Sequence, residues 1–282
     1  MDRWICKNAV VTGASAGIGA AVCVALATAG INVVGLARRP ALIDALQAKV
    51  TGKGLIKSVK CDLTRSDDVA AAFKWINENV GCVHIIVNNA GVFHRGHITD
   101  LGEEGLNDDQ ILATIGTNYT AAVLCTRHAI HSMKTHGLEA HIININSIAG
   151  HYVPFSPFFN VYPSTKYAIS AFTAGLLNEL SEHKTNKIKV TSLSPGLVHT
   201  QLASDAFQQT KQLPGLRPED VADAILYLLS TPPAVNVSIC SCRTYSKQKV
   251  YFFDVTSEVS FKLAQALIAI PDFLVTLYKG FY

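Results

Sequence analysis

Charge is scarce in this chain: Asp, Glu, Lys and Arg make up 16% of its 282 residues, against 49% hydrophobic residues. Disordered chains have the reverse balance, so that class is excluded. The 19 glycines and 10 prolines follow no period, which excludes a collagen-like chain. A net charge of +3 is too small for a nucleic-acid footprint. The seven cysteines contain no C-x-x-C pair, and only Cys240 and Cys242 are close, so no zinc site of that type is expected. Their wide spacing reads as free thiols in a reducing compartment. Asp2, Arg3 and Lys7 leave no apolar core for a signal peptide, and the cytoplasm is the expected location. Histidine pairs such as His94/His97 and His128/His131 lack a third ligand, so no metal is expected.

What the chain does contain is alternation. Strand-length apolar runs at 9–12, 31–37, 55–61, 83–88, 141–146 and 188–193 are nearly continuous in Val, Ile and Leu. Helical patterns at 20–29, 41–50, 67–79, 108–133 and 164–182 lie between them. Continuous rather than alternating strands indicate a parallel sheet covered on both faces. The expected fold is α/β: a doubly wound parallel sheet in one Rossmann-like domain over residues 1–243. Residues 235–242 are read as one more strand. Residues 244–282 form an atypical extension with a helix expected over 257–270, ended by Pro271. Lys262, Gln265 and Asp272 make this tail a poor membrane span, and contact with a lipid surface fits it only weakly.

The first strand ends in Thr12-Gly13-Ala14-Ser15-Ala16-Gly17-Ile18-Gly19, directly before a helical pattern. Gly13 can turn the chain, Gly17 can let backbone approach a phosphate, and Gly19 can let helix and sheet pack closely. A plain tight turn would explain one or two of these glycines, not three at a strand-to-helix junction. The second strand ends in Ala37-Arg38-Arg39-Pro40, with no acid to hold a ribose hydroxyl. The two arginines read either as a fork for a 2′-phosphate, favouring NADP over NAD, or as solvated loop residues. Asp62-Leu63 is a weak candidate for the adenine amino group. Asn88-Asn89-Ala90-Gly91 follows the fourth strand, where an amide can pin neighbouring strands, or where an ordinary turn can form.

Ser147 follows the fifth strand, and Tyr162 and Lys166 lie fifteen residues on and four apart, on one face of a helix. Lysine beside the phenol, with a cationic nicotinamide near, favours phenolate. Such a phenol can exchange a proton with a carbonyl or alcohol oxygen that Ser147 holds. A surface pair is the alternative. The segment 151–161, with Tyr152, Phe155, Phe158 and Phe159, forms with 197–216 either an apolar substrate mouth or packing within the protein or a dimer.

Taken in order, these motifs resemble the short-chain dehydrogenase/reductases. Within that family, Met1–Trp4, Val34–Arg39, Lys60–Leu63, Ile145–His151 and Tyr162–Ala168 are most similar to insect farnesol-dehydrogenase-like members and the related dehydrogenase/reductase member-eleven group. The resemblance implies a seven-stranded doubly wound sheet and a nicotinamide cofactor. It implies that Ser147 positions substrate, Tyr162 is the general acid/base, and Lys166 binds the nicotinamide ribose and lowers the Tyr162 pKa. It further implies that Asn118 holds a water in a proton relay and that Asn89 lines the cofactor site. The segment Ser194–Thr200, with Pro195, Gly196, Val198 and Thr200, would wrap the nicotinamide. The expected activity is NADP-dependent interconversion of hydroxyl and carbonyl on a lipophilic small molecule, a terpenoid such as farnesol or a steroid, by a homo-oligomer. A catalytically idle NADP-binding sensor or scaffold is the alternative, and the complete tetrad argues against it.

Overall fold

The structure, a computed structural model, describes residues 1–99, 101, 105–135, 139–154, 158–183, 187–206 and 213–244. Valine and isoleucine fill β1 (Asn8–Thr12), β2 (Asn32–Ala37), β4 (Ile85–Asn88) and β5 (Ala140–Ile145), and nearly every residue of these strands is buried. With β3 (Ile56–Lys60), β6 (Ile188–Pro195) and β7 (Ile239–Cys242) they form a seven-stranded parallel sheet in the order β3-β2-β1-β4-β5-β6-β7. Successive side chains feed opposite cores. Ala9 and Val11 face α1 (Gly17–Thr28), α2 (Pro40–Asp44) and α8 (Pro218–Ser230), while Val10 faces α3 (Ser66–Asn79), α5 (Ala121–Thr135) and α6 (Val161–Ser181). The expected doubly wound fold is therefore present.

Several boundaries differ from the sequence pattern, and three of them have a visible reason. The helix expected over 41–50 stops at Asp44 and tightens into a 3-10 turn, Ala45–Lys49; there Gln47 Oε1 accepts from the Ile56 amide at 2.7 Å. The helix expected over 108–133 is α4 (Asp108–Ile115), a π turn (Gly116–Thr120) and α5 in one unbroken run. The helix expected from 164 starts at Val161, capped by Asn160. The strand expected from 235 starts at Ile239, because the Asn236 amide itself pairs with the backbone N–H and C=O of Val190, at 2.9 and 3.0 Å. The remaining helix, α7 (Gln201–Ala206), follows β6. No helix among the described residues is long and apolar enough to cross a membrane. The tail helix expected over 257–270, like Phe155, lies outside the described residues.

Cations gather at the carboxyl end of α8, where unpaired carbonyls concentrate negative potential. Arg3 Nη2 donates to Leu229 O and Thr231 O at 3.0 and 2.6 Å, and buried Lys189 Nζ donates to Thr231 O and Pro232 O at 3.2 and 2.7 Å. Beside them His141 is buried, with its Nε2 2.8 Å from Thr191 Oγ1. Burial, then the Lys189 and Arg3 charges, push its pKa down to about 3. An unfolded histidine titrates near ~6.5. Below that pH the unfolded chain takes a proton that the folded state refuses, so stability falls from about pH 6.5 toward pH 3, by up to about 1.4 kcal/mol per pH unit. Replacing His141 by Gln is expected to flatten the fall of unfolding free energy between pH 6 and 4, measured by denaturant titration. An unchanged slope would remove His141 as its source.

Candidate active site

In an open α/β sheet the cleft opens where strand order reverses, beyond the carboxyl ends of the strands. Here that point lies between β1 and β4, and the polypeptide is pinned there. Thr12 Oγ1 accepts from the amides of Asn89 and Ala90 at 2.9 and 3.0 Å. The Asn89 side chain donates back to Thr12 O and Gly13 O at 2.9 and 3.3 Å. Gly13 and Gly17 have φ of +66° and +55°, which other residues rarely adopt. A Cβ on Gly13 would lie 2.8 Å from Ala90 Cα; one on Gly19 would overlap Gly13 O and lie 2.5 Å from Asn89 Nδ2. No side chain caps the first amides of α1, so its positive end is left to the cleft. The residues thus fit a dinucleotide: the cradle exists only because its glycines lack side chains.

At the other end of the cleft stand Ser147, Tyr162 and Lys166. Ser147 follows β5 by two residues and caps the turn Ile148–Gly150, its Oγ accepting from the Ala149 amide at 3.0 Å. The Tyr162 phenol lies near enough to the Ser147 hydroxyl for that group to draw its pKa down. Lys166, one helical turn along α6, donates to Ile145 O at 2.9 Å, with Nζ 5.7 Å from the Tyr162 ring centroid. Phe93 presses its edge on the same ring, centroid to centroid 5.4 Å.

The protein groups by themselves keep the phenol protonated. The protein packed around the Tyr162 phenol pushes its pKa up to about 12, only partly offset by the nearby Ser147 hydroxyl. Burial pushes Lys166 down to about 8. The lysine alone does not lower the tyrosine pKa, because its ammonium is turned to the Ile145 carbonyl and is itself desolvated.

One cleft of about 880 Å³ collects Gly13, Ser15, Gly17, Ile18, Arg38, Arg39, Asp62, Leu63, Asn89, Ser147, Tyr162, Lys166, Pro195, Gly196, Val198 and Thr200. Arg38 and Arg39 are exposed at its rim, beside Asp62. The Asp62 carboxylate is bonded by Thr64, which with the nearby Arg38 holds its pKa below the usual range. Two of the expected residues stand behind the wall. Gly19 packs helix against turn. Asn118, buried in the π turn, accepts from the Val92 amide at 2.8 Å and donates to Val92 O and Thr165 Oγ1 at 3.0 and 3.2 Å. Sequence reasoning missed Thr12, Phe93 and Thr165. Only Thr12, a polar residue closing an apolar strand before the glycines, carried a signal.

The short chain dehydrogenase family pattern matches residues 7–211. The chain belongs to that family. Its members are oxidoreductases acting on alcohols, and this chain is one of them. It is 43% identical to farnesol dehydrogenase of Aedes aegypti over 240 residues, 84% of this chain and 95% of that one. It is 40% identical to dehydrogenase/reductase SDR family member 11 of Mus musculus over 249 residues, 84% and 94% of the two chains. Among solved structures, the closed form of a serine dehydrogenase complexed with NADP+ superposes with a TM-score of 0.74 at 25% identity, covering 86% of this chain and 99% of that one.

The cradle geometry is directly testable. Gly19→Ala drives a methyl into Gly13 O and Asn89, and overpacking of this kind costs about 1–3 kcal/mol. The variant is expected to unfold several degrees lower by calorimetry and to bind dinucleotide more weakly. Unchanged values in both measurements would show that the helix–turn contact is slack.

Proposed function

We propose that this protein is an NADP-dependent oxidoreductase that interconverts hydroxyl and carbonyl on a lipophilic small molecule, a terpenoid alcohol such as farnesol or a steroid. The observation that carries the reading is the meeting of Ser147, Tyr162 and Lys166 inside one cleft whose far rim holds two arginines and no ribose-binding acid at the end of β2. The nicotinamide, when bound, supplies or takes the hydride. Gly13, Ser15, Gly17 and Ile18 would hold the pyrophosphate, Asp62 and Leu63 the adenine side. Asn89, Pro195, Gly196, Val198 and Thr200 would line the nicotinamide side. The apolar side chains of Phe93, Phe159, Leu197 and Leu202 on the cleft wall suit an apolar substrate body.

In this reading Ser147 Oγ holds the reacting oxygen and Tyr162 Oη takes the alcohol proton, or returns it to the carbonyl. Phenolate is needed for oxidation, and the Tyr162 pKa of about 12 must fall for it to form near neutrality. Lys166, already close to giving up its own proton, keeps positive charge near the ring and would reach the ribose. Asn118 shapes the wall behind Val92 and Thr165 and would hold any water relay from there. The serine dehydrogenase complex supports NADP, the Aedes relative supports the terpenoid substrate, and seven free cysteines support a reducing, cytoplasmic setting.

A panel of terpenoid and steroid alcohols with each cofactor, read at the absorbance of reduced nicotinamide, tests the activity. Tyr162→Phe keeps the ring and removes the transferable proton. Turnover is expected to fall by roughly two orders of magnitude or more with dinucleotide binding little changed. Near-normal turnover would take Tyr162 out of the mechanism.

Neutralising Arg38 and Arg39 together tests the cofactor preference. The NADP dissociation constant is expected to rise by at least ~10-fold more than that of NAD, since only NADP carries the phosphate these forks would grip. Equal losses would mean that neither arginine reads it.

A further inference from the structure

Tyr162 is the second residue of α6. A helix frays from its ends, and the first-turn amides have no partners inside the helix. A reacting phenol placed there depends on whatever holds that turn. In this protein the turn is tied to a segment more than sixty residues earlier. Asn160 Oδ1 accepts from the Val161 amide at 2.6 Å, which caps the helix, and Asn160 Nδ2 donates to Gly96 O at 2.9 Å. The residues on either side interlock in the same direction. Phe158 has the Arg95 guanidinium 3.7 Å above its ring and His97 at its edge, 5.0 Å between centroids. Buried Phe93 touches Phe159 at 5.2 Å and Tyr162 at 5.4 Å. The strap 93–97 thus sets where Phe93 lies, Phe93 bears on the phenol ring, and one planar amide fixes strap and helix start together.

We propose that Asn160 is a positioning residue for Tyr162, acting through its bond to Gly96 and the Phe93 edge rather than through helix capping alone. The inference deepens the reading of Tyr162 as the proton-transfer group and rests on it. Asparagine, aspartate and serine cap helices about equally well, so capping alone predicts that Asn160→Asp and Asn160→Ser behave like the parent. Neither keeps the amide donor to Gly96 O. A displacement of about 1 Å in a reacting group can cost ~100-fold in rate, and a partial slip is expected here.

The experiment follows the Tyr162 ring protons in the full chain by NMR, assigned by their loss in Tyr162→Phe, alongside kcat and KM. Both Asn160 variants are expected to shift those resonances, which lie in the ring current of Phe93, and to lower kcat by about ten-fold. The unfolding midpoint, NADP binding and substrate KM should stay close to the parent. Parent-like resonances and kcat in either variant would overturn the proposal. If no alcohol in the panel is turned over even by the parent, the functional reading fails, while the resonances still decide whether Asn160 places the ring. Phe93→Leu approaches the contact from its other side and, with Asn160 intact, serves alone if the Asn160 variants do not fold: a parent-like kcat in it would then overturn the proposal. It is expected to reproduce the shift, and the double variant with Asn160→Ser should be no worse than the worse single one. Losses that multiply independently would show that Asn160 does not act through Phe93.

Discussion

The bond set between Thr12 and Asn89 is the constraint on which the site depends. A parallel sheet has no turn joining neighbouring strands, so nothing covalent fixes the ends of β1 and β4 to each other. At this junction the helices leave toward opposite faces and the cleft must open. Thr12 Oγ1 takes two amides from the β4 side, and Asn89 returns two bonds to the β1 side. Four hydrogen bonds across one gap fix its width. Gly13 and Gly19 can be as close to Ala90 and Asn89 as they are only because that width does not vary. The glycines and the polar clamp are parts of one device: either without the other gives a loose turn or a clash.

A second polar layer carries this order to the reacting end. Asn88 donates to Asn144 Oδ1 and Thr126 Oγ1, both at 2.8 Å; Asn144 donates to Thr173 on α6; and Asn146 donates to Ser170 on α6 and Ser192 on β6. Buried amides are expensive unless paired, and the Oδ1 atoms of Asn88 and Asn146 have no partner among the described residues. Apolar side chains would pack there at less expense but could slide. Hydrogen bonds fix α6 in both register and rotation against the sheet, and α6 carries Tyr162 and Lys166. Gly150 closes the contact, since a Cβ there would lie 2.6 Å from Asn146 Oδ1 and 2.7 Å from Lys166 O.

The sheet, its helices and the cradle were legible because each rests on a local rule. Continuous Val and Ile runs mark strands buried on both faces, and three glycines at a strand end mark a close approach. Tyr162 and Lys166 were legible as a pair because helical spacing is also local. What stayed hidden was non-local. Nothing near Phe93 says that it will bear on a ring 69 positions later. Nothing near Gln47 or Asn236 says that a side-chain amide will replace backbone pairing and move an element boundary. Asn118 was accessible only through family resemblance, and even then its place behind the wall was not.

The charge state of Tyr162 shows the same limit in energetic form. Spacing brings a lysine within reach of a phenol, and in water that would favour phenolate. Inside the protein the two groups are desolvated together, so each is driven toward its neutral form, the phenol up to about 12 and the ammonium down to about 8. Proximity alone therefore does not activate the tyrosine. In the proposed reaction, a further positive charge or donor entering the cleft at the Ser147–Tyr162 end would be what lets the proton be shared. In that reaction, a site arranged this way stays chemically quiet until its cleft is filled, because the protein groups alone leave the phenol protonated.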